Sequence, residues 1–137
     1  MEKYTDEDLQ AQGYKPVVKE YFTGKAWLKS FVMPDEHTNC IISDVLFEPG
    51  ARNNWHTHPS NQILIVKEGT CYYQEKGKPI QKINAGGVIN ILPGIRHWHG
   101  APPDSTMIHT AIGINTEKGI VNWESPVTDE EYSSYEW

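Results

Sequence analysis

The sequence predicts an all-β fold with a short helix near each end, and three observations lead there. Segments rich in Val, Ile, Tyr, Phe and Trp recur from Val17 onward, none longer than nine residues. Breaks built on Pro and Gly separate them at intervals of about eight to twelve residues, the rhythm of an antiparallel sandwich or barrel. Helix signals are confined to the two ends. A chain of 137 residues is large enough to enclose one core and a small pocket, so residues 1–137 read as one domain.

The elements follow in order. Thr5 caps a helix over 5–12, with Asp6, Glu7 and Asp8 in its first turn, where carboxylates favour the helix dipole. Strands are expected at 27–31, 39–47, 52–58, 62–68, 70–75, 79–83, 88–91, 97–100 and 107–114. Their breaks include Glu48-Pro49-Gly50, Pro59-Ser60-Asn61, Lys76-Gly77-Lys78, Ala85-Gly86-Gly87 and Pro93-Gly94. Helix returns at Thr128-Asp129-Glu130-Glu131, a capping box in which Thr128 bonds the amide of Glu131 and the Glu131 carboxylate reaches back. The chain therefore divides into an N-terminal arm (1–26), a barrel (27–115) and a C-terminal extension (116–137).

Composition narrows the function. A net charge of −6 gives no attraction to nucleic acid or anionic membranes, and no basic stripe overrides it. The longest apolar runs, 63–66 and 88–93, are strand-length and far short of a bilayer span. The residues after Met1 lack the basic and apolar regions of a signal peptide, so a cytoplasmic location is expected. Cys40 and Cys71 form no CxxC motif and are expected as buried thiols. Trp55 and Trp98 sit beside histidines with opposite parity and should pack behind them. Trp27, Trp123 and Trp137 are expected as core or interface anchors rather than a stacking platform.

Histidine placement carries the functional signal. Five of the six histidines lie between residues 56 and 109, four of them in two HxH pairs. Strand side chains alternate faces, so His56 and His58 point the same way, about 6.6 Å apart along the strand. Two imidazoles at that spacing can converge on one ion. His97 and His99 repeat the geometry, and His109 falls on what should be a neighbouring antiparallel strand.

The frame around these residues is distinctive. Gly50 is followed by five residues, then His56-Thr57-His58, Gln62 and Gly69; Gly86 is followed by Leu92-Pro93-Gly94 and His97. This two-part pattern resembles the paired motifs of the cupin superfamily, small double-stranded β-helix (jelly-roll) barrels, from about Gly50 to Gly100. The resemblance implies one divalent metal ion held by His56, His58, Gln62 and His97. Gln62 stands where most metal cupins have glutamate. Three neutral imidazoles and an amide leave the full charge on the ion, making it a stronger Lewis acid. Gly87 and Leu92 also depart from the usual aspartate and proline, at turns. The donor set favours Mn or Fe and admits Zn or Ni.

The stretches Glu48–Arg52, Trp55–Pro59, His97–Ala101 and Val127–Tyr132 are similar to a bacterial cupin subfamily that includes (R)-selective hydroxynitrile lyases. That likeness implies two further pocket histidines at His99 and His109, and pocket positions at Ser43, Val45 and Gly113, where size and polarity differ from the lyases. It implies a metal-dependent lyase acting on a small hydroxy or carbonyl compound. An Fe-dependent dioxygenase and a non-catalytic ligand-binding cupin remain alternatives. Sheet edges need cover, and a homodimer is the expected assembly.

Overall fold

A computed structural model describes residues 4–134; Trp137 lies outside the described residues. The elements are α1 (Asp6–Ala11), β1 (Lys15–Pro16), β2 (Phe22–Thr23), β3 (Ala26–Val32), β4 (Cys40–Phe47), β5 (Arg52–Asn53), β6 (His56–Thr57), β7 (Gln62–Glu68), β8 (Thr70–Glu75), β9 (Gln81–Asn84), β10 (Val88–Ile91), β11 (His97–Gly100), β12 (Met107–Ile114), β13 (Asn122–Trp123) and α2 (Asp129–Tyr132). All strand pairing is antiparallel. The all-β class and the two terminal helices are as the sequence predicts, with Thr5 and Thr128 as caps and the Thr128–Glu131 capping box formed; Thr5 and Asp8 form a second box that the sequence reading does not include.

Two sheets pack face to face. One runs β1-β3-β4-β12-β7-β10; in the other, β11 lies between β5 and β6 on one side and β8 on the other, with β9, β2 and β13 outside. Strand alternation divides each sheet into two faces. Val45, Phe47, Val66 and Met107 of the first sheet meet Cys71, Ala51 and Ala101 from the second to form the inner core. On the outer face of the first sheet, Trp27, Leu46 and Ile108 pack under Leu9 of α1. On the outer face of the second, Trp55, Tyr72 and Trp98 pack with Val127 and Tyr132 of the C-terminal segment. Each helix thus covers an apolar sheet face that water would otherwise meet. The buried indoles are satisfied: Trp27 donates to Glu48, Trp55 to Glu131 and Trp98 to Gln74.

Several expectations change. The strand expected at 52–58 is broken, because its middle is bonded to the arms and not to β11. The Asn54 amide donates to Tyr21 O, Trp55 N donates to Ser125 O, and Glu124 N donates to Trp55 O. The strand expected at 79–83 forms instead at Gln81–Asn84. Residues expected in the arm and the extension add strands to the sheets at β1, β2 and β13. Both cysteines are free; Cys71 is buried, but Cys40 is only half-buried. No helix among the described residues is long and apolar enough to cross a membrane.

Candidate metal centre

The inner face of the second sheet carries the histidines. In the pairing of β6 with β11, His97 lies directly opposite His56, and their ring centroids are 4.2 Å apart. His58, one residue past β6, keeps the parity of His56, with centroids 5.0 Å from His56 and 5.4 Å from His97. Gln62 enters from the start of β7 in the opposite sheet and lines the same cavity as His56 and His58. The four residues singled out in the sequence therefore converge between the sheets.

Their hydrogen bonds aim the rings. Nδ1 of His56 donates to Asn54 O at 2.7 Å, Nδ1 of His58 to Ile120 O at 2.7 Å, and Nδ1 of His97 to Ile95 O at 2.8 Å. A carbonyl only accepts, so each Nδ1 carries the proton and each neutral ring presents a lone pair at Nε2. This is the arrangement by which metal-binding histidines are oriented.

Three buried polar atoms of the set have no hydrogen-bond partner: His58 Nε2, His97 Nε2 and Gln62 Oε1. An unpaired buried acceptor costs about 1–3 kcal/mol, so three converging here fit a cation that would accept their lone pairs. The donor set, imidazole nitrogens with an amide oxygen, suits a divalent transition metal. Among the described residues, the histidine group whose ring nitrogens all lie within 4.8 Å of one another, close enough to hold a metal ion, is His56, His97 and His99; the proposed ligand His58 lies outside it. His99, implied as a pocket histidine by the resemblance, thus also stands among the possible ligands.

His99 and His109 form a second unit. His109 Nε2 lies 2.9 Å from His99 Nδ1, and both residues are buried. His109 does not lie on a strand paired with β11, as expected; β12 pairs with β4 and β7, so the two rings meet across the space between the sheets. Asn53 holds His99 in place, its Oδ1 accepting the His99 backbone N–H at 2.9 Å and its Nδ2 lying 3.3 Å from the ring nitrogens.

Burial sets the protonation of the whole cluster. It pushes His97 and His109 down to about 4, and carries His56 and His99 well below the ordinary 6.5, with neighbouring imidazoles adding to the effect. His58 is lowered by burial too, against the opposing pull of Ile120 and Gln62. At neutral pH five uncharged imidazoles face one another, the form that binds metal and exchanges protons.

Beside the cluster lies a cavity of about 370 Å³, within the range of small-molecule sites. Ser43, Val45 and Gly113 line it, as do His56, His58, Gln62, His99 and His109; His97 lies behind. None of the lining residues is Asp, Glu, Lys or Arg. It is also lined by residues that the sequence does not single out, Tyr21 and Phe22 from the arm and Ile120 and Val121 from the extension, together with Trp123. Trp123 is not a plain core anchor. It stacks on Tyr21 at 4.7 Å and 9°, and packs on His56 at 4.8 Å.

A family model described as the cupin domain matches residues 43–113. The chain belongs to the cupin family. This cupin is 39% identical over 123 residues to an (R)-mandelonitrile lyase from Granulicella tundricola, a match covering 90% of this chain and 92% of that protein. It is also similar to a cupin-like protein of Thermotoga maritima, at 44% identity and a TM-score of 0.84, covering 88% of this chain and 92% of that one. A predicted oxalate decarboxylase from the same organism, at 17% identity and a TM-score of 0.67, covers 74% of this cupin and 91% of its own chain; it shares the fold.

Proposed function

We propose that this cupin is a metal-dependent lyase that cleaves a small, uncharged α-hydroxy compound, in the manner of a hydroxynitrile, into a carbonyl compound and cyanide. The observation that carries the reading is the set of converging, unpartnered ligand atoms beside a buried histidine pair at the wall of an apolar cavity. The name of the 39% identical relative supports the reaction class.

His56, His58, Gln62 and His97 would hold the ion, with manganese or iron favoured over zinc or nickel. When bound, the metal supplies a Lewis acid toward a hydroxyl or carbonyl oxygen. The protein supplies the proton traffic. One ring of the His99–His109 pair takes the hydroxyl proton, the electrons of that bond form the new carbonyl, and the carbon–cyanide bond breaks with its pair leaving on cyanide. The other ring gives cyanide a proton, and the 2.9 Å link returns the first proton to it. No net charge accumulates. The uncharged lining suits a substrate with an apolar or aromatic group packed against Phe47, Phe22 and Trp123.

A homodimer in the cytoplasm completes the proposal. Beyond Leu28, β3 has no partner on its outer edge among the described residues, and Phe31 and Met33 are exposed. Light scattering after gel filtration tests the assembly.

The decisive assay is mandelonitrile cleavage by protein whose metal content has been measured, in air and under anaerobic conditions. Equal turnover in both, lost with His97→Ala, is expected. Turnover that requires oxygen points to a dioxygenase, and ligand binding without turnover to a non-catalytic cupin; either result overturns the lyase reading.

A further inference from the structure

The C-terminal extension leaves β12, passes through a 3-10 turn at Thr116–Lys118, and returns as β13 beside β6. In that short return it touches both histidines of the first pair. The Ile120 carbonyl, 62 residues from His58, accepts its Nδ1 proton at 2.7 Å. Three residues later Trp123 lies opposite His56 in the strand register and packs its indole on the His56 ring at 4.8 Å. The same residues, with Val121, line the cavity.

We propose that Ile120–Trp123 is a clamp that positions His56 and His58 for metal binding, so that one segment both lines the pocket and orients two ligands of the metal centre. The proposal rests on the metal-centre reading given above. Ile120 and Trp123 are positioning residues: they act through the two imidazoles.

Three further observations support the clamp. Trp123 does not stand alone, since Tyr21 of the arm stacks on the indole at 4.7 Å while His56 packs on it at 4.8 Å. Asn54 Nδ2 donates to Glu124 O at 3.2 Å and to Glu20 O at 3.1 Å, tying the clamp to the arm just before His56. Gly119, immediately before Ile120, has φ +110, and a Cβ there would meet Pro59 Cγ at 3.2 Å. A side chain at 119 is strained, and that strain falls on the residue directly before the Ile120 carbonyl while adding no contact to a ligand side chain.

Linkage adds a consequence. A neutral molecule that packs against Ile120 and Trp123 in the cavity steadies the same two imidazoles, and by linkage it raises metal affinity by the factor by which metal raises its own.

The test uses Co2+ as the probe, read by chelator competition and by visible absorption of the loaded protein, which reports the ligand set. Gly119→Ala and Trp123→Ala are expected to bind Co2+ about 10- to 100-fold more weakly with altered absorption, the loss typical of groups that orient a metal's ligands. Trp123→Phe keeps an aromatic face against His56 and should restore affinity to within a few-fold. Benzyl alcohol should tighten Co2+ binding in the wild type and lose that effect in Trp123→Ala. If Gly119→Ala fails to fold, the Trp123 pair decides. Wild-type protein that binds no Co2+ sinks the metal-centre reading itself. Wild-type binding with unchanged affinity and spectrum in Trp123→Ala sinks the clamp alone.

Discussion

His99 and His109 share a 2.9 Å contact across the two sheets, with both rings buried and, among the described residues, no carboxylate at hydrogen-bond distance from either. A proton held by one ring has the other as its nearest basic neighbour. His109→Ala removes the partner without removing any of the four proposed ligands. Turnover is expected to fall about 100-fold or more, while metal content by elemental analysis stays unchanged. Loss of the metal instead would reassign His109 to the binding of the ion.

Gln62 offers an amide oxygen where a carboxylate would lower the charge of the site. Gln62→Glu should bind the divalent ion more tightly and turn over more slowly, since a carboxylate weakens the ion as a Lewis acid. Chelator competition and kcat move in opposite directions if this holds. Stripping the ion from wild-type protein should lower its Tm, because a ligand present at about 100 times its Kd adds roughly 2.7 kcal/mol to stability.

The buried histidines make stability depend on pH. His97 and His109 sit at about 4 in the folded chain against 6.5 when unfolded. Between those values the unfolded state binds more protons, so stability is full above about pH 6.5 and falls as pH drops toward 4. Each such shift is worth on the order of 3 kcal/mol taken singly, and the sum is smaller because the rings are coupled. Urea unfolding of metal-free protein at pH 7 and pH 5 measures it. Equal midpoints would rule out neutral burial of these rings.

Gly113 borders the cavity, and a Cβ there would come within 2.8 Å of Ile41 Cγ2. Gly113→Ala should narrow the pocket and shift preference from mandelonitrile toward acetone cyanohydrin, by about 10- to 200-fold in relative kcat/KM. An unchanged ratio would remove Gly113 from the substrate wall.

Tyr132 of α2 donates its hydroxyl to Ala101 O at 2.6 Å and its ring packs under the Arg52 guanidinium at 4.5 Å. Tyr132→Phe leaves that buried carbonyl unpaired and should cost about 1–3 kcal/mol in denaturant unfolding. Metal affinity should hold, since Tyr132 touches no ligand.

Much of this was legible in the residues because it is local. Period-two alternation places His56, His58, His97 and His99 on one face, and Trp55 and Trp98 on the other, whatever the topology. The Thr128–Glu131 box announces its own helix. Non-local facts were not legible. Which sheet His109 joins depends on long-range pairing, so β12 was expected beside β11 and lies instead between β4 and β7. Asn54 interrupts a run that reads as one strand because its partners, Glu20 and Glu124, are distant in sequence. Ile120 contributes only a carbonyl, which every residue type shares, and β13 is two residues long, too short for any periodicity.

Asn54 hands one amide hydrogen to each flank of the molecule, at Glu20 and at Glu124, from a side chain that is itself almost fully sheltered. The first and last thirds of the polypeptide, joined elsewhere by β4 with β12 and by the Tyr21–Trp123 stack, are buttoned again at this point. A protease nick near residue 20 should for that reason loosen the chain near residue 124, a hundred positions downstream, as readily as a nick made there.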